Sequence, residues 1–515
     1  MADSKREIER KYEAAPETRL PDLTGAVGVS AVVHRGVSEL DAVYYDTRDL
    51  RLAADSLTLR RRTGGEDAGW HLKFPVAPGV RDEIRAPLAD TLPESLAGLL
   101  RSRIRGAEPV PLVRLLSTRD VHHLADGDGT VLAELSVDEV LAERLSGEGT
   151  GRTATWTEIE VELADDGDTA LLDAVEAQLR EAGIRPSASP SKVSRALAET
   201  GPAENAAGHG TKRRPAWVDA PRTAGDHVLA YVQRQTEAVI GYDPAVRRDL
   251  PDSVHQMRVA TRRLRSAFRT YRRILDQAVT APLADELKWL AAELGVDRDQ
   301  EVLEARLHDR IGALPGTLVL GPVEARVRLW SVARREDARH RVLGVLDSER
   351  YLMLLDALDA LLADPPLLPA AAREPGAVLP RAVLKDYARL ATRIGHALAL
   401  PPGQRRDVAL HEARKAAKRA RYAGEAARPA LGKPAKKFAR RMKSVQQVLG
   451  DHQDSVVARD ALRALAVAAD AAGESAFTWG LLYGREEAAA AERERELPHV
   501  WTKASRPDWH RALGS

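Results

Sequence analysis

The stretch "REIERKYE" (residues 6–13) decides how the first part of the chain is read. Glu7, Glu9 and Lys11 alternate with Ile8, Arg10 and Tyr12. In an extended strand residues i and i+2 share a face, so two acids and a base point one way. The same spacing recurs over residues 1–200. Arg60 and Arg62 share a face in "LTLRRR" (57–62), and Arg81, Glu83 and Arg85 do so in "VRDEIRAPL" (80–88). Glu134 and Asp138 share one in "VLAELSVDEV" (131–140), as do Glu158, Glu160 and Glu162 in "WTEIEVEL" (156–163). Leu57, Leu59, Ile159, Val161 and Leu163 fill the opposite faces. An ordinary wet sheet face uses Thr, Ser, Gln and Lys freely. Here one strand shows only acids, another only arginine, and one both. That pattern predicts a closed barrel with a polar interior, with Arg10 and Arg61 turned outward.

The chemistry of such an interior is specific. Hard divalent ions take carboxylate oxygens and share them with substrate phosphates. Arginine offers a planar fork that fits phosphate oxygens, whereas lysine acts as a point charge. Acids and bases in one cavity fit a metal–polyphosphate ligand better than either component alone.

The totals agree with a large intracellular protein. The chain has 515 residues, 30% of them charged, and a net charge of only +1. That length predicts more than one domain. It has no cysteine, which excludes disulfides and thiolate metal sites and points to a reducing cytoplasm. No apolar run reaches the roughly 18 residues of a membrane span. "MADSKREIER" lacks the apolar region of a secretory signal. Gly- and Asp-rich turns such as "TGGEDAG" separate the strands, and helical patterns fall near 88–101 and 168–183. Residues 201–224 are rich in Gly, Pro and Ala without periodicity and read as a linker.

Glu7-x-Glu9-x-Lys11 resembles the signature of the CYTH proteins, the triphosphate tunnel metalloenzymes. The resemblance continues in order through "YYDT" (44–47), "LTLRRR", "WHLK" (70–73), "VRDEI" (80–84), Asp138 in "LSVDEV", "EIEVEL" (158–163) and "SKVSR" (191–195). It implies an eight-stranded antiparallel β-barrel whose tunnel binds triphosphate. It also implies Mg²⁺ or Mn²⁺ held by Glu7, Glu9, Asp138, Glu158, Glu160 and either Glu162 or Glu134. Lys11, Arg60, Arg62, Lys73, Arg81, Lys192 and either Arg114 or Arg119 would grip phosphate, since "LVRLLSTRD" (112–120) offers two arginines. Glu7, Glu9, Lys11 and Glu160 form the expected catalytic group. No cysteine nucleophile exists and no Ser–His arrangement is readable, so water attack on the terminal phosphorus is the simpler chemistry.

Residues 225–510 read as helix throughout, with apolar positions at spacings of three and four. This half repeats itself. "HQMRVATRRLR" (255–265) and "HEARKAAKRAR" (411–421) share a His followed by basic residues at offsets 3, 7, 8 and 10. "LGVDRDQEVL" (294–303) and "LGDHQDSVVA" (449–458) follow in register, with Asp299 against Asp454. The repeat predicts a duplicated four-helix bundle. On a wheel of about 100° per residue, Arg258, Arg262, Arg265, Arg269, Arg272 and Arg273 form one stripe with His255, opposite Leu264, Phe268, Tyr271 and Leu275. No acid occurs from 253 to 275. Residues 405–443 hold fourteen Arg or Lys against three acids. An unmixed stripe forgoes i,i+4 ion pairs, so a polyanion is the expected partner. Nucleic acid is disfavoured, because the chain has four Phe, no aromatic platform among the basic residues and no helix-turn-helix or RRM signature.

This half resembles the CHAD domain. That implies binding of inorganic polyphosphate through His255, Arg258, Arg262, Arg265, His411, Arg414, Lys418, Arg419 and Arg421. The expectation is thus a two-domain α+β protein, with a CYTH barrel over 1–200, a linker over 201–224 and a CHAD domain over 225–515. It would be a cytoplasmic, metal-dependent triphosphatase, associated with polyphosphate granules. The alternatives are a non-catalytic polyphosphate binder, or a hydrolase or cyclase acting on thiamine triphosphate or ATP.

Overall fold

The computed structural model describes residues 3–201 and 220–506. The expected linker falls largely on 202–219, outside the described residues. The chain divides into two compact units, 1–214 and 215–515.

The first unit is a closed antiparallel barrel. Its strands are β1 (Asp3–Ala14), β2 (Ala31–Asp46), β3 (Thr58–Thr63), β4 (Gly69–Ala77), β5 (Val80–Ala86), β6 (Val110–Ala125), β7 (Val131–Arg144) and β8 (Thr153–Leu163). The sheet runs β5-β4-β3-β2-β6-β7-β8-β1, and β1 also pairs with β5, which closes the circuit. A short β9 (Arg185–Pro186) adds to the end of β1. Three helices lie outside, α1 (Arg51–Ala54), α2 (Glu94–Ile104) and α3 (Thr169–Glu181), and α4 (Lys192–Thr200) packs against inward-facing residues at one end of the barrel.

The alternation in each strand sorts the chemistry. Most apolar side chains face outward and are buried under the helices. Tyr12, Ile159 and Val161 pack with Leu171 and Val175 of α3. Leu59, Trp70 and Ile84 pack with Leu96 and Leu100 of α2. At one end of the barrel Val113, Ala142 and Trp156, on the same strand faces as Arg119, Asp138 and Glu160, pack inside the wall with Ala196 and Leu197 of α4. The barrel therefore keeps most of its hydrophobic core outside its wall, fills one end of its interior with the apolar face of α4, and leaves charge in the rest. Arg10 turns outward, to Asp173 and Glu176 of α3. Arg61 also turns outward, to the Ala89 carbonyl. The β4–β5 turn depends on Gly79, which sits at φ +71. A Cβ there would lie 2.8 Å from the Glu9 carbonyl oxygen, and the Glu9 amide donates to the Gly79 carbonyl at 2.9 Å. Only glycine meets both conditions, and the turn fixes the backbone that carries Glu9.

The second unit is helical: α5 (Ala224–Arg247), α6 (Ser253–Thr270), α7 (Gln277–Gly312), α8 (Val323–Asp347), α9 (Glu349–Ala363), α10 (Pro375–Ala399), α11 (Gln404–Ala471) and α12 (Phe477–Ala504). The 68-residue α11 is two arms joined at Gly432, whose φ 62 and ψ −133 break the helix. The repeat follows from this break. Helix α6 and the first arm of α11 carry the two His-and-Arg stripes, and α7 and the second arm carry the two "LG" segments. Leu264, Phe268, Tyr271 and Leu275 lie in the main core with Leu410, Ala413 and Phe438. Helix α6 ends at Thr270, so Arg272 and Arg273 lie beyond the helix on which the wheel placed them. There the Tyr271 hydroxyl donates to the Ala423 carbonyl at 3.1 Å, and the Thr270 hydroxyl to Asp386 at 2.6 Å. The Asp299 side chain lies outside the described residues. Among the described residues no helix is long and apolar enough to cross a membrane.

Candidate functional site

A cavity of about 580 Å³ runs inside the barrel. Each of the strands β1 to β8 contributes to its lining. Among the expected residues, Glu7, Glu9, Lys11, Arg60, Arg62, Lys73, Arg81, Arg119, Glu134, Glu160, Glu162 and Lys192 face it. The opposed charges meet directly. Lys11 Nζ contacts Glu160, and Glu9 at 3.2 Å. Lys73 Nζ donates to Glu7 at 2.6 Å. Arg119 grips both oxygens of Asp138 at 2.7 and 2.8 Å and donates to Glu160 at 2.8 Å.

The choice between the two β6 arginines is decided by direction. Arg119 points inward. Arg114 forms a bidentate pair with Asp41 at 2.9 and 2.6 Å, its side chain is 42% exposed, and it does not line the cavity. The Arg114 expectation is corrected here: its parity on β6 is opposite to that of Arg119.

Asp138 and Glu158 lie one layer deeper, 0% and 3% exposed. With Glu160 they form a trio whose ligand atoms all lie within 4.8 Å of one another. Lys192 sends its ammonium among them, at 3.0 Å from Asp138, 2.6 Å from Glu158 and 2.6 Å from Glu160. Lys192 is the first residue of α4, where the helix dipole disfavours a cation; three carboxylates offset that. Ser191 caps the helix, accepting from the Ser194 amide at 3.1 Å. Arg195 ties α4 to Glu13 at 2.6 Å and lies over the Trp156 ring.

The electrostatics are those of a site filled with counter-ions of its own. Burial alone would raise the Glu160 carboxyl, but Lys11, Lys192 and Arg119 hold it well below the carboxylate range. Glu7 goes the other way: its burial, with Glu83 and Glu162 nearby, outweighs Lys73 and raises it. Burial pushes Arg62 down, and Arg60 and Arg119 add to the effect. A guanidinium does not deprotonate in practice, so Arg62, which pairs with Asp67, stays charged despite its burial and the cations beside it.

Sequence reasoning passed over Glu83. It is fully buried behind the cavity, accepts from Arg85 and His71 at 2.5 and 2.9 Å, and lies 3.5 Å from Lys73 and 3.6 Å from Arg60. The signal was present, since Glu83 shares its strand face with Arg81 and Arg85.

In the helical unit the two stripes converge. Lys418 lies among Arg262, Arg414 and Arg258, with Asp454 the opposing acid. Burial and these three cations push its ammonium down to about 6. The cluster thus joins offsets 3 and 7 of both repeats. Each offset-3 arginine also lies against the glycine of its own "LG" segment, Arg258 by Gly295 and Arg414 by Gly450. Arg265 stands with Arg269 and Asp285. His411 pairs through Nδ1 with Gln453 at 2.6 Å. His255 lies half-buried on α6, two residues after its start. Arg419 and Arg421 are committed elsewhere, to Asp386 at 2.9 Å and to Glu425 at 3.1 Å.

Residues 5–197 match the CYTH domain family and residues 230–463 the CHAD domain family. The uncharacterized protein Rv2226 of Mycobacterium tuberculosis is 38% identical over 504 residues, 95% of this chain and 94% of that one. The chain belongs to the CYTH–CHAD family. A thiamine-triphosphatase of Macaca fascicularis is 44% identical over 82 residues, 16% of this CYTH–CHAD chain and 31% of that enzyme. The crystal structure of the CHAD domain from the plant Ricinus communis overlaps 55% of this chain and 88% of its own, at 28% identity and a TM-score of 0.40. The barrel of this CYTH–CHAD protein is therefore a tunnel domain of the triphosphatase type, and its acids form a cluster suited to a hard divalent ion.

Proposed function

We propose that the barrel hydrolyses inorganic triphosphate to diphosphate and phosphate, and that the helical unit binds inorganic polyphosphate. One observation carries the first part: a single closed cavity presents carboxylates and basic side chains already paired with one another. A metal-bound triphosphate satisfies both partners at once. Lys11, Lys73 and Arg119 would exchange their carboxylates for phosphate oxygens, while Arg60, Arg62 and Arg81 add charge along the chain. Glu7, Glu9, Glu160 and Glu162 from the lining, with Asp138 and Glu158 behind them, offer the oxygen ligands for Mg²⁺ or Mn²⁺. When bound, such an ion neutralises phosphate oxygens and acidifies coordinated water. Among the lining residues Tyr44 is the one phenyl-type ring, and its hydroxyl faces Arg60 at 3.5 Å. That supports a bare phosphate chain over a purine nucleotide.

The 82-residue likeness to a thiamine-triphosphatase favours one second reading, thiamine triphosphate as substrate. Turnover of tripolyphosphate, thiamine triphosphate and ATP, measured side by side with a check for cyclic AMP, tests both. The proposal expects tripolyphosphate to have the highest kcat/KM. Preference for thiamine triphosphate would replace the substrate, and absence of turnover with every divalent ion would leave a binding protein.

The support for polyphosphate is the four-cation cluster Arg258, Arg262, Arg414 and Lys418. A polyanion would relieve its self-repulsion, and binding of that kind would take the protein to polyphosphate granules. Tethering longer chains beside the barrel raises the local concentration of chain ends.

A further inference from the structure

Three side chains far apart in sequence meet in the helical unit, away from the basic stripes' arginines. Asp407 lies on the first arm of α11, His452 on the second arm, and Glu494 on α12. One ligand atom from each lies within 4.8 Å of the others. His452 is 2% exposed. Its Nε2 is 3.3 Å from Asp407 Oδ1 and 3.3 Å from Glu494 Oε1. Among the described residues, Nδ1 of the ring is buried without a hydrogen-bond partner.

Those equal distances do not describe a good hydrogen bond. A charge-assisted N–H to carboxylate contact is shorter, about 2.7–2.9 Å, and one N–H shared between two oxygens at equal distance aims well at neither. Separations of 3.3 Å do fit the edge of a tetrahedron built on metal–ligand bonds of about 2.0–2.1 Å. The remaining carboxylate oxygens are already occupied. Arg459 donates to Asp407 Oδ2 at 3.0 Å, and Arg406 pairs with Glu494 Oε2 at 3.1 Å. Each arginine thus turns its acid so that the other oxygen faces His452. Outer partners of this kind commonly orient metal-bound carboxylates.

We propose that Asp407, His452 and Glu494 form a binding site for one divalent transition ion, of the class that accepts imidazole nitrogen, with Zn²⁺ the foremost member. Mg²⁺ fits it poorly, since that ion takes oxygen ligands and six-coordinate geometry. The site is separate from the carboxylates of the barrel, and it does not depend on the triphosphate or polyphosphate reading. Its effect is mechanical: an ion there staples both arms of α11 to α12, next to the turn of helix that carries His411.

The test is metal stoichiometry on the full chain, by titration calorimetry with Zn²⁺ and by elemental analysis after dialysis. Wild type is compared with His452→Asn, Asp407→Asn and Glu494→Gln. Co²⁺ in place of Zn²⁺ reports geometry through its visible absorption. The expected result is loss of one equivalent of Zn²⁺ in each variant. A Zn²⁺-dependent rise in the melting temperature of wild type should disappear with it, as should an intense, tetrahedral-type Co²⁺ band. Binding of Mg²⁺ should be the same in all four proteins. Should His452→Asn not fold, Asp407→Asn and Glu494→Gln carry the comparison. Equal Zn²⁺ stoichiometry in wild type and variants overturns the proposal and leaves the trio as an ion-paired joint between helices.

Discussion

Glu160 shows how tightly single side chains are tied in this barrel. It contacts Lys11, Arg119 and Lys192 at once, and its carboxyl is held ionised by all three. Glu160→Gln leaves those buried cations short of a charge, which costs on the order of 3 kcal/mol. Urea unfolding should show that loss, and phosphate release should fall with it. Lys418 is the counterpart in the helical unit. With burial first, then Arg262, Arg414 and Arg258 around it and Asp454 opposing, its pKa falls from 10.5 to about 6. The folded state binds fewer protons than the unfolded chain between those values. Lys418 therefore opposes folding most fully below about pH 6, and that penalty fades as pH rises toward 10.5. A bound polyanion restores the charge, so binding takes up a proton. Polyphosphate affinity should weaken by up to tenfold per pH unit above about pH 6 through this group. Calorimetry in buffers of different ionisation enthalpy measures the uptake, and His411→Asn controls for the other nearby titrating group. Lys418→Arg should abolish the dependence; the same slope in that variant would contradict it.

At the scale of elements, faces were legible wherever a strand kept its charges to one parity. β8 does so, and in β1 the acids and Lys11 of the octet at 6–13 share one parity while Arg6 and Arg10 take the other. β6 does not: Arg114 and Arg119 differ in parity, and its apolar pairs Leu112–Val113 and Leu115–Leu116 blur the alternation. Only the neighbours Asp41 and Asp138 distinguish the arginines, and no spacing reveals them. Helix boundaries were similarly hidden. The basic stripe of α6 continues in sequence through Arg273, yet tertiary bonds at Thr270 and Tyr271 end the helix. The break in α11 is set by Gly432, in a backbone region that other residues avoid. Gly432→Ala should destabilise the helical unit by at least about 1 kcal/mol. Chemical denaturation monitored by circular dichroism checks this, and an unchanged midpoint would mean that the arms can meet another way. Asp407, His452 and Glu494 show the limit most plainly: nothing local marks residues that a helical hairpin brings together.

At the scale of the molecule, the near-zero net charge conceals two separate solutions to charge crowding. The barrel pairs its acids and bases internally, so its ligand must replace existing ion pairs. In the helical unit Arg258, Arg262 and Arg414 instead crowd Lys418, so a polyanion there would offset like charges that stand together. Salt should separate the two. Polyphosphate binding should fall steeply with ionic strength, and Arg262→Glu with Lys418→Glu should weaken it at least tenfold while leaving kcat on tripolyphosphate unchanged. A salt-insensitive affinity would contradict the electrostatic account of the stripes. The barrel is tested most directly by phosphate release from tripolyphosphate as Mg²⁺ or Mn²⁺ is titrated, for wild type and for the Glu7→Gln/Glu9→Gln double variant. Opposed charges that close on a metal-bound phosphate chain predict ion-dependent turnover in wild type and a loss of at least a hundredfold in the variant. Equal rates in the two proteins, or turnover undiminished by a chelator, would contradict it.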